Sequence, residues 1–557
     1  MRRRFVICTA ALLLACQVLS PPTNTPLAPS PSPSPTTTAT ATATPKPLKQ
    51  TGYEIRIHPE DGLYVGDLVS FEVIAPKDAS QSEIKDEEMV VMTVEFEVNT
   101  PIPQTFGPVS FEPFGFQGRS QATFRWEWDT TGLDPGKYEI TFRVFPDGPV
   151  WTQTIDLFPH DALPPAALDA EWISTTTECC LITYLSGTAS EREIDWILES
   201  ANLAVTENYA VVEIGSFKDI HIILMPRVLG QGGFASGEIY VSYLDRNYAG
   251  NNFEQILRHE IVHIFDMREG GDYRPSIFVE GFAVYHTRGH FKPEPLLSRS
   301  ATLLDLGWYI PLAQLADDFY FQQHEIGYLE AGAFVEYLIE RWGYQAFDDF
   351  YRDIHPSTSG KDSLAIDAAL KEHYGISFHD LEQQFLNALH RIPINPDLRK
   401  DVYLSVLFFN TVRRYQENLD PSAHFLTAWL VTYNDIQEHD ITADYMRHPS
   451  QPENLALETL LISAHKALWE ARFGEARRTL AAMNAVLDRI EREHPHPFDA
   501  HPQAADHYEI VTLLLEAGYQ PQQIVLNGDS ALVLATNNGP NLITLYLEFT
   551  GNAWRME

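Results

Sequence analysis

The residues best suited to chemistry are His259, Glu260 and His263, which stand in the stretch "RHEIVH" at 258–263. On an α-helix, residues four positions apart lie on the same face, about one turn apart. The two imidazoles can therefore reach one metal ion, and zinc accepts histidine nitrogens at about 2.0–2.1 Å. Glu260 lies one step around the helix, where its carboxylate reaches a water on the metal without binding the metal. The pattern predicts a zinc site with a glutamate base.

A purely structural explanation fits the same stretch, because the helix also carries many apolar residues. These are Ile256, Leu257, Ile261, Val262, Ile264 and Phe265. Under that explanation the two histidines and the glutamate are core residues, and each buried polar group needs a hydrogen-bond partner. A metal ion would satisfy the imidazoles directly, which favours the metal interpretation.

The third ligand must come from elsewhere, because a catalytic zinc usually has three protein ligands and one open position. The metzincin pattern requires a glycine at 266 and a histidine at 269, but Asp266 and Glu269 stand there. A second helix is predicted after the glycine turn at 270–271, and Glu280 on it can complete a His-His-Glu set. Glu280 is thus one candidate for the third ligand. The alternatives are His286, His290, Asp266 and Asp272.

The elements that must position these residues lie in 165–395, which we predict to be an α+β domain. Three strands come first, in "CCLITYL", "DIHIILMP" and "GGFASGEIYVSYL", and helices follow. The first helix is predicted in "NNFEQILRHEIVHIFDM", opened by Asn251 or Asn252 and stopped by the glycines at 270–271, and further helices are predicted at 276–287, 325–342, 344–353, 362–372 and 378–390. The stretch 232–243 is expected to be an edge strand that pairs with an extended substrate. Gly232 and Gly233 would allow the substrate backbone to come close.

Two further regions flank this domain, so the chain is predicted to be multidomain. Residues 51–160 are expected to form an immunoglobulin-like β-sandwich, because short alternating strands are separated by turn residues. In "QATFRWEWDT", Phe124, Trp126 and Trp128 should share one face. Residues 400–557 are predicted to be mainly helical and to end in a few strands with a terminal β-hairpin.

The N-terminus predicts export and attachment to a membrane. Three arginines and a short apolar run mark residues 1–15 as a signal peptide, since the run is too short to span a bilayer. The run ends in "LLAC", which resembles a bacterial lipobox and implies cleavage before Cys16 and lipid on that cysteine. Residues 16–50 form an extended linker rich in Pro, Thr and Ser. The predicted location is extracytoplasmic, with the membrane contacted only through the lipid.

Composition restricts the partners. The formal net charge is −37 and no basic stripe is present, which argues against nucleic acid as a partner. No pattern predicts an oligomeric state. Cys179 and Cys180 are expected to be buried thiols, because neighbouring cysteines form a disulfide only in a strained ring.

The motif "HEIVH" followed by "FVEGFAVY" resembles the gluzincin metallopeptidases, and more closely the peptidase MA-like families of secreted bacterial proteins. The resemblance covers about 165–395 and extends to "YGISFHDLEQQF". It implies that His259, His263 and Glu280 bind one Zn²⁺ and that Glu260 is the catalytic base.

The same resemblance implies an activity and one more catalytic residue. The activity is zinc-dependent hydrolysis of peptide bonds in proteins or peptides outside the cell. Gluzincins related to the aminopeptidases place a transition-state tyrosine before a glycine on a later helix. Tyr328 in "GYLEAGAF" matches that tyrosine, although its distance from Gly332 is one residue longer than in the aminopeptidase pattern.

A second function fits the organisation of the chain. A surface-anchored binding or adhesion protein would also combine a long linker, a β-sandwich and a helical region around a non-catalytic, peptidase-like domain. In such a protein the base would be expendable. The presence of Glu260 favours the enzyme.

Overall fold

The computed structural model describes residues 52–77, 92–100, 102–209, 219–230, 232–271, 273–290, 292–537 and 541–557. The predicted signal peptide, the linker, the lipidation residue Cys16 and the alternative ligand Asp272 lie outside the described residues.

The N-terminal region is built from two facing sheets. Its strands are β1 (Glu54–His58), β2 (Leu63–Tyr64), β3 (Leu68–Ile74), β4 (Thr93–Val98), β5 (Gln104–Ser110), β6 (Glu112–Phe114), β7 (Arg119–Asp129), β8 (Gly136–Phe145) and β9 (Val150–Phe158). The strand orders are β1-β3-β7-β6 and β2-β9-β8-β4-β5. Their inner faces share one apolar core that includes Phe71, Phe96 and Phe142, as expected for alternating strands.

The prediction for Trp126 was wrong. Phe124 and Trp128 enter the core between the sheets, but Trp126 faces the other way and packs with Leu185 and Trp429. A β-bulge causes this, because the pairing of β7 with β3 shifts register at this point and Trp126 adopts a positive φ of 49°. A bulge inserts extra residues and breaks the alternation of faces.

The central region is mixed, with a five-stranded sheet followed by helices. Its strands are β10 (Trp172–Thr176), β11 (Cys180–Leu185), β12 (Ile220–Met225), β13 (Gly233–Ala235) and β14 (Ile239–Ser242), in the order β10-β11-β12-β14-β13. Its helices begin with α1 (Pro165–Leu168), α2 (Ala189–Arg192), α3 (Ile194–Tyr209), α4 (Phe253–Glu269) and α5 (Ser276–Thr287). The stretch 232–243 was predicted to be one edge strand, but it forms a hairpin in which β14 pairs with β12 inside the sheet and only the short β13 lies at the edge.

The helix α4 begins and ends where the sequence predicts. The side chain of Asn252 caps its first turn by accepting the N–H of Gln255, and Gly270 ends it with a φ of 87°. Its apolar residues pack on the sheet, where Leu257, Ile261 and Phe265 share a core with β11, β12 and β14. The opposite side of α4 is therefore left to face α5.

The helix α5 packs closely against a later helix, α8 (His324–Trp342). A side chain at Gly281 would come within 2.6 Å of the Ala331 carbonyl oxygen, and one at Gly332 would collide with Val284. The two glycines let the helices approach, which fixes the rotation of α5 and thereby the direction of Glu280.

The remaining elements complete the central region and build the helical C-terminal region with its final strands. The helices are α6 (Leu296–Leu306), α7 (Leu312–Asp317), α9 (Tyr344–Arg352), α10 (Asp362–Tyr374), α11 (Phe378–Leu389), α12 (Pro396–Leu419), α13 (Tyr433–His439), α14 (Ala443–Met446), α15 (Pro452–Trp469), α16 (Phe473–Glu491) and α17 (Pro502–Glu516). The strands are β15 (Gln520–Asn527), β16 (Ser530–Thr536), β17 (Leu542–Phe549) and β18 (Trp554–Met556). Within the described ranges, none of the helices has the length and apolar character needed to cross a bilayer.

Buried charges connect the three regions. Arg227 of the central region lies 2.6 Å from Glu60 of the N-terminal region and 3.3 Å from Asp420 of the C-terminal region. Arg447 forms a bidentate pair with Asp67. Each guanidinium is almost fully buried, so each pair holds its regions in a defined arrangement.

Cys179 and Cys180 are buried as predicted, but the prediction that they are thiols was wrong, because they form a disulfide. The turn before β11 explains how neighbouring cysteines meet. Thr177 N–H donates to the Cys180 carbonyl at 2.8 Å, and its hydroxyl accepts from the N–H groups of both cysteines. The folded-back turn brings the two side chains together.

Candidate metal centre

Three side chains from two consecutive helices converge at one point. The Nε2 atoms of His259 and His263 on α4 lie 3.2 and 3.3 Å from Oε2 of Glu280 on α5. All three donor atoms lie within 4.8 Å of one another. The histidines stand four positions apart on the helix face, and the turn at 270–271 brings α5 back across that face.

The spacing of these atoms fits a tetrahedral metal ion. Zinc ligands at about 2.0–2.1 Å are separated from one another by about 3.3 Å at tetrahedral angles. The two imidazole–carboxylate distances, 3.2 and 3.3 Å, equal that separation. Two neutral imidazoles and one carboxylate are also a ligand set that zinc prefers, and they leave a fourth position open.

A tyrosine that sequence reasoning missed holds the other oxygen of Glu280. The hydroxyl of Tyr320, in a short 3₁₀ turn at 319–321, donates to Oε1 at 2.7 Å. This leaves Oε2 directed at the two imidazoles, as outer hydrogen bonds orient metal ligands in general. No motif marks Tyr320, because it stands 40 residues from Glu280 and meets it only through the fold.

Burial and mutual contact set the protonation of the three donors. Burial lowers the pKa of His259 to about 4. Burial alone would also lower that of His263, but the adjacent Glu280 carboxylate outweighs it and raises this pKa to about 9. Burial likewise opposes ionisation of Glu280, yet the imidazoles hold its pKa far below its ordinary range. In the metal-free protein the Glu280 carboxylate therefore favours a proton on the neighbouring imidazole of His263.

Glu260 lies in the same cavity without being one of the donors. Its side chain is buried, and among the described residues Oε2 has no hydrogen-bond partner. Burial raises the pKa of Glu260 to about 8; the nearby His263 opposes this rise and the charge of Glu280 adds to it. A carboxyl group with a pKa near neutrality can take up and release a proton at the pH of the surroundings.

The cavity has a volume of about 420 Å³ and is lined by residues from all three regions. The edge strand β13 borders it. A Cβ atom at Gly233 would lie 3.1 Å from Oε1 of Glu260 and 2.6 Å from Ile256, so only glycine fits there. Gly232 precedes the strand with a φ of 106°. The two glycines thus bring a backbone edge next to Glu260.

Tyr328 reaches the cavity from α8. Its ring centre lies 6.1 Å from that of His259, and the side chain is buried. The ring of His290 stacks on it at 4.3 Å, and Nδ1 of His290 lies 2.9 Å from Oε2 of Glu325. Tyr328 and His290 therefore form one packed pair on the wall of the cavity. The catalytic role of Tyr328 stays a prediction.

The alternative third ligands are used elsewhere. His286 packs on Phe282 with ring centres 4.3 Å apart, and burial lowers its pKa to about 4. His290 pairs with Glu325. Asp266 lies on α4 but forms ion pairs with Arg274 at 3.0 Å and Arg352 at 2.6 Å. Among the described candidates, Glu280 is the carboxylate that meets both imidazoles.

Comparisons with known proteins add little to this geometry. No protein-family model matches the chain, and no curated protein sequence is similar to it. Among solved structures, the chain is similar to the yeast LTA4 hydrolase in complex with bestatin, with 10% sequence identity and a TM-score of 0.28. The likeness covers 77% of this chain and 83% of that chain. The candidate centre rests on its own residues.

Proposed function

We propose that this protein is a zinc-dependent hydrolase of peptide bonds, of the gluzincin type. The observation that carries the proposal is the convergence of His259, His263 and Glu280 at donor spacings of 3.2 and 3.3 Å. Glu260, buried beside them with a pKa raised to about 8, supplies the base that such a reaction requires.

Each residue of the centre has a separate role in this reaction. Zinc held by His259, His263 and Glu280 would supply a Lewis acid and lower the pKa of a water. Oε2 of Glu260 accepts the proton of the attacking water and passes it to the leaving amine. The Tyr328 ring borders the same cavity, and its hydroxyl is the candidate donor to the developing oxyanion. Tyr320 acts as a positioning residue, because it contacts Glu280.

An extended peptide fits the edge of the sheet. The strand β13 lies at the edge in the described part of the sheet, and its Gly233 packs directly against Ile256 and Glu260 of α4, which places this edge beside the candidate base. Main-chain pairing at such an edge binds peptides without demanding particular side chains. The substrate is therefore a peptide or an unfolded segment of a protein, with Gly232 and Gly233 at the binding edge.

The setting of the activity follows from the N-terminal sequence. We propose that residues 1–15 direct export, that Cys16 carries lipid, and that residues 16–50 hold the folded part away from an extracytoplasmic membrane surface. The two-sheet N-terminal region is proposed to be an immunoglobulin-like module. Labelling with a radioactive fatty acid tests the lipid, and Cys16→Ser should abolish the label.

The alternative function, a non-catalytic surface-anchored binding protein, uses the same cavity and edge strand without turnover. Among the described residues Oε2 of Glu260 has no hydrogen-bond partner, and an unsatisfied buried carboxyl oxygen costs stability; a catalytic base explains that cost, whereas a binding protein would gain nothing from it.

Metal analysis and a cleavage assay on the full chain test the proposal. We expect one zinc per chain and cleavage of quenched fluorescent peptides that stops when a chelator removes the zinc. Glu260→Gln should keep the zinc and lower turnover by about 10²–10⁴-fold, because the base is lost while the ligands remain.

Glu254→Gln is the matched control, since it makes the same change on the same helix outside the cavity. It should leave turnover unchanged. Undiminished cleavage by Glu260→Gln would remove Glu260 from the mechanism, and zinc binding without any chelator-sensitive cleavage would favour the binding protein.

A further inference from the structure

A phenylalanine from the N-terminal region stands at the mouth of the candidate metal centre. Phe116 lies in the turn between β6 and β7 and lines the cavity that holds Glu260 and Glu280. Its side chain is 50% exposed. Exposed apolar surface that borders a cleft is typical of a binding site.

The backbone holds this turn in place. The N–H of Phe116 donates to the carbonyl of Leu426 at 3.1 Å. Gly115 has a φ of 67° and lies so close to the Leu426 carbonyl that a Cβ atom on Gly115 would clash with its oxygen. Backbone contacts therefore anchor the turn that carries the Phe116 ring.

Four side chains form an apolar surface that we call the aromatic wall: Phe116, Tyr320, Phe425 and Leu430. The Phe116 ring stacks on Tyr320 with centroids 4.7 Å apart and on Phe425 with centroids 5.2 Å apart. Arg413 lies over the Phe425 ring at 5.2 Å and donates to the Gly230 carbonyl, and these contacts hold the ring in place. The wall thus presents apolar surface drawn from all three regions.

The aromatic wall and the candidate centre are physically joined. The hydroxyl of Tyr320 donates to Glu280 at 2.7 Å, and its ring is part of the wall. The wall, the edge strand β13 and Glu260 all line one cavity. Successive side chains of an extended peptide point to opposite faces, so a peptide at β13 directs every second side chain into the space beside the strand.

We propose that the aromatic wall is a specificity subsite that accepts one large apolar side chain, aromatic or leucine-like, beside the bond to be cleaved. The proposal rests on the proposed hydrolase function, and it gives the N-terminal region a direct part in substrate choice. Burying a phenylalanine side chain against such a surface should improve kcat/KM by about tenfold to 100-fold over alanine.

Cleavage kinetics on the zinc-loaded full chain test this. Two quenched glycine–serine peptides are compared, one with a single phenylalanine and one with alanine at the same position. The wild type should prefer phenylalanine, and Phe116→Ala should reduce the preference to about threefold or less. Ile102→Ala is the control, because it truncates another apolar side chain of the N-terminal region, one that is 81% exposed. This variant should keep the preference for phenylalanine.

A binding measurement separates this proposal from the proposed function. Fluorescence anisotropy on Glu260→Gln should show tighter binding of the phenylalanine peptide, and adding Phe116→Ala should remove the advantage. If the wild type cleaves both peptides equally, the subsite is wrong and hydrolysis stands. The same conclusion follows if Phe116→Ala keeps the preference for phenylalanine, even where the variant has a lower unfolding temperature. If nothing is cleaved, the hydrolase proposal fails and anisotropy alone decides, with equal binding of the two peptides overturning the subsite.

Discussion

Two buried carboxylates, Asp266 and Glu280, act electrostatically on His263, and their surroundings differ in kind. Asp266, on the same helix, accepts from Arg274 at 3.0 Å, from Arg352 at 2.6 Å and from the Tyr351 hydroxyl at 3.0 Å. Glu280, on the next helix, meets the hydroxyl of Tyr320 and two imidazoles.

The difference lies in how each negative charge is balanced. Guanidinium groups stay protonated, so the charge of Asp266 is neutralised within the protein. An imidazole is mostly neutral at neutral pH, and it gains a proton more readily beside a carboxylate, as at His263, whose pKa Glu280 raises. In the metal-free protein the negative charge of Glu280 is therefore balanced by a proton, at a place where a divalent cation fits. The charge of Asp266 is already balanced by arginines. Burial of charge alone does not mark a functional site.

The largest expected effect is the loss of zinc affinity when Glu280, rather than Asp266, is changed. Glu280→Gln removes the anionic donor, so zinc affinity should fall by more than the 10–100-fold that a lost outer hydrogen bond costs, and turnover should vanish. Competition with a fluorescent chelator measures the affinity. Asp266→Asn is the control and should retain zinc affinity within about threefold, since its carboxylate has other partners. Equal loss of zinc in both variants would contradict the distinction.

The second effect concerns stability. Asp266→Asn leaves Arg274 and Arg352 without their shared anion, which should cost about 3 kcal/mol in the metal-free protein. Urea unfolding followed by tryptophan fluorescence measures the loss. Asp348→Asn removes a more exposed partner of Arg352, 3.2 Å away, and should cost less than about 1 kcal/mol. Similar midpoints for the two variants would show that Asp266 is not structural.

The smallest effect is a pH dependence of zinc binding. The proton on His263 is held below a pKa of about 9 and must leave before the nitrogen can bind a metal. Apparent zinc affinity should therefore rise about tenfold per pH unit from neutrality to about pH 9, with about one proton released per zinc. Titration calorimetry in buffers of different ionisation enthalpy counts the proton. In Glu280→Gln the dependence of zinc affinity on pH should weaken, because the carboxylate that raises the pKa of His263 is gone. A zinc affinity of the wild type that does not change with pH would show that no proton on His263 competes with the metal.

Much of the fold could be predicted from local sequence. The periodicity of α4, its Asn252 cap and the Gly270 stop define a helix without reference to anything distant. The mixed central region and the final strands were confirmed as well. The bulge that turns Trp126 outward was missed, because strand alternation predicts a face only while the pairing register is constant.

The candidate site could be predicted only in part. The i, i+4 spacing of His259 and His263 defines two donors, but the choice among Glu280, His286 and Asp266 depends on how α5 packs on α8. Tyr320 and Phe116 were missed, since each reaches the cavity through contacts with residues far away in the chain.

By itself the sequence determined the helical spacing of two imidazoles and a neighbouring carboxylate, because these depend on one turn of helix. The tertiary structure decided which carboxylate joins them, which is neutralised by arginines, and which aromatic side chains border the cavity. Those outcomes depend on the rotation and approach of helices and on a turn inserted from another region. Such long-range packing is set by the whole core and leaves no local pattern in the chain.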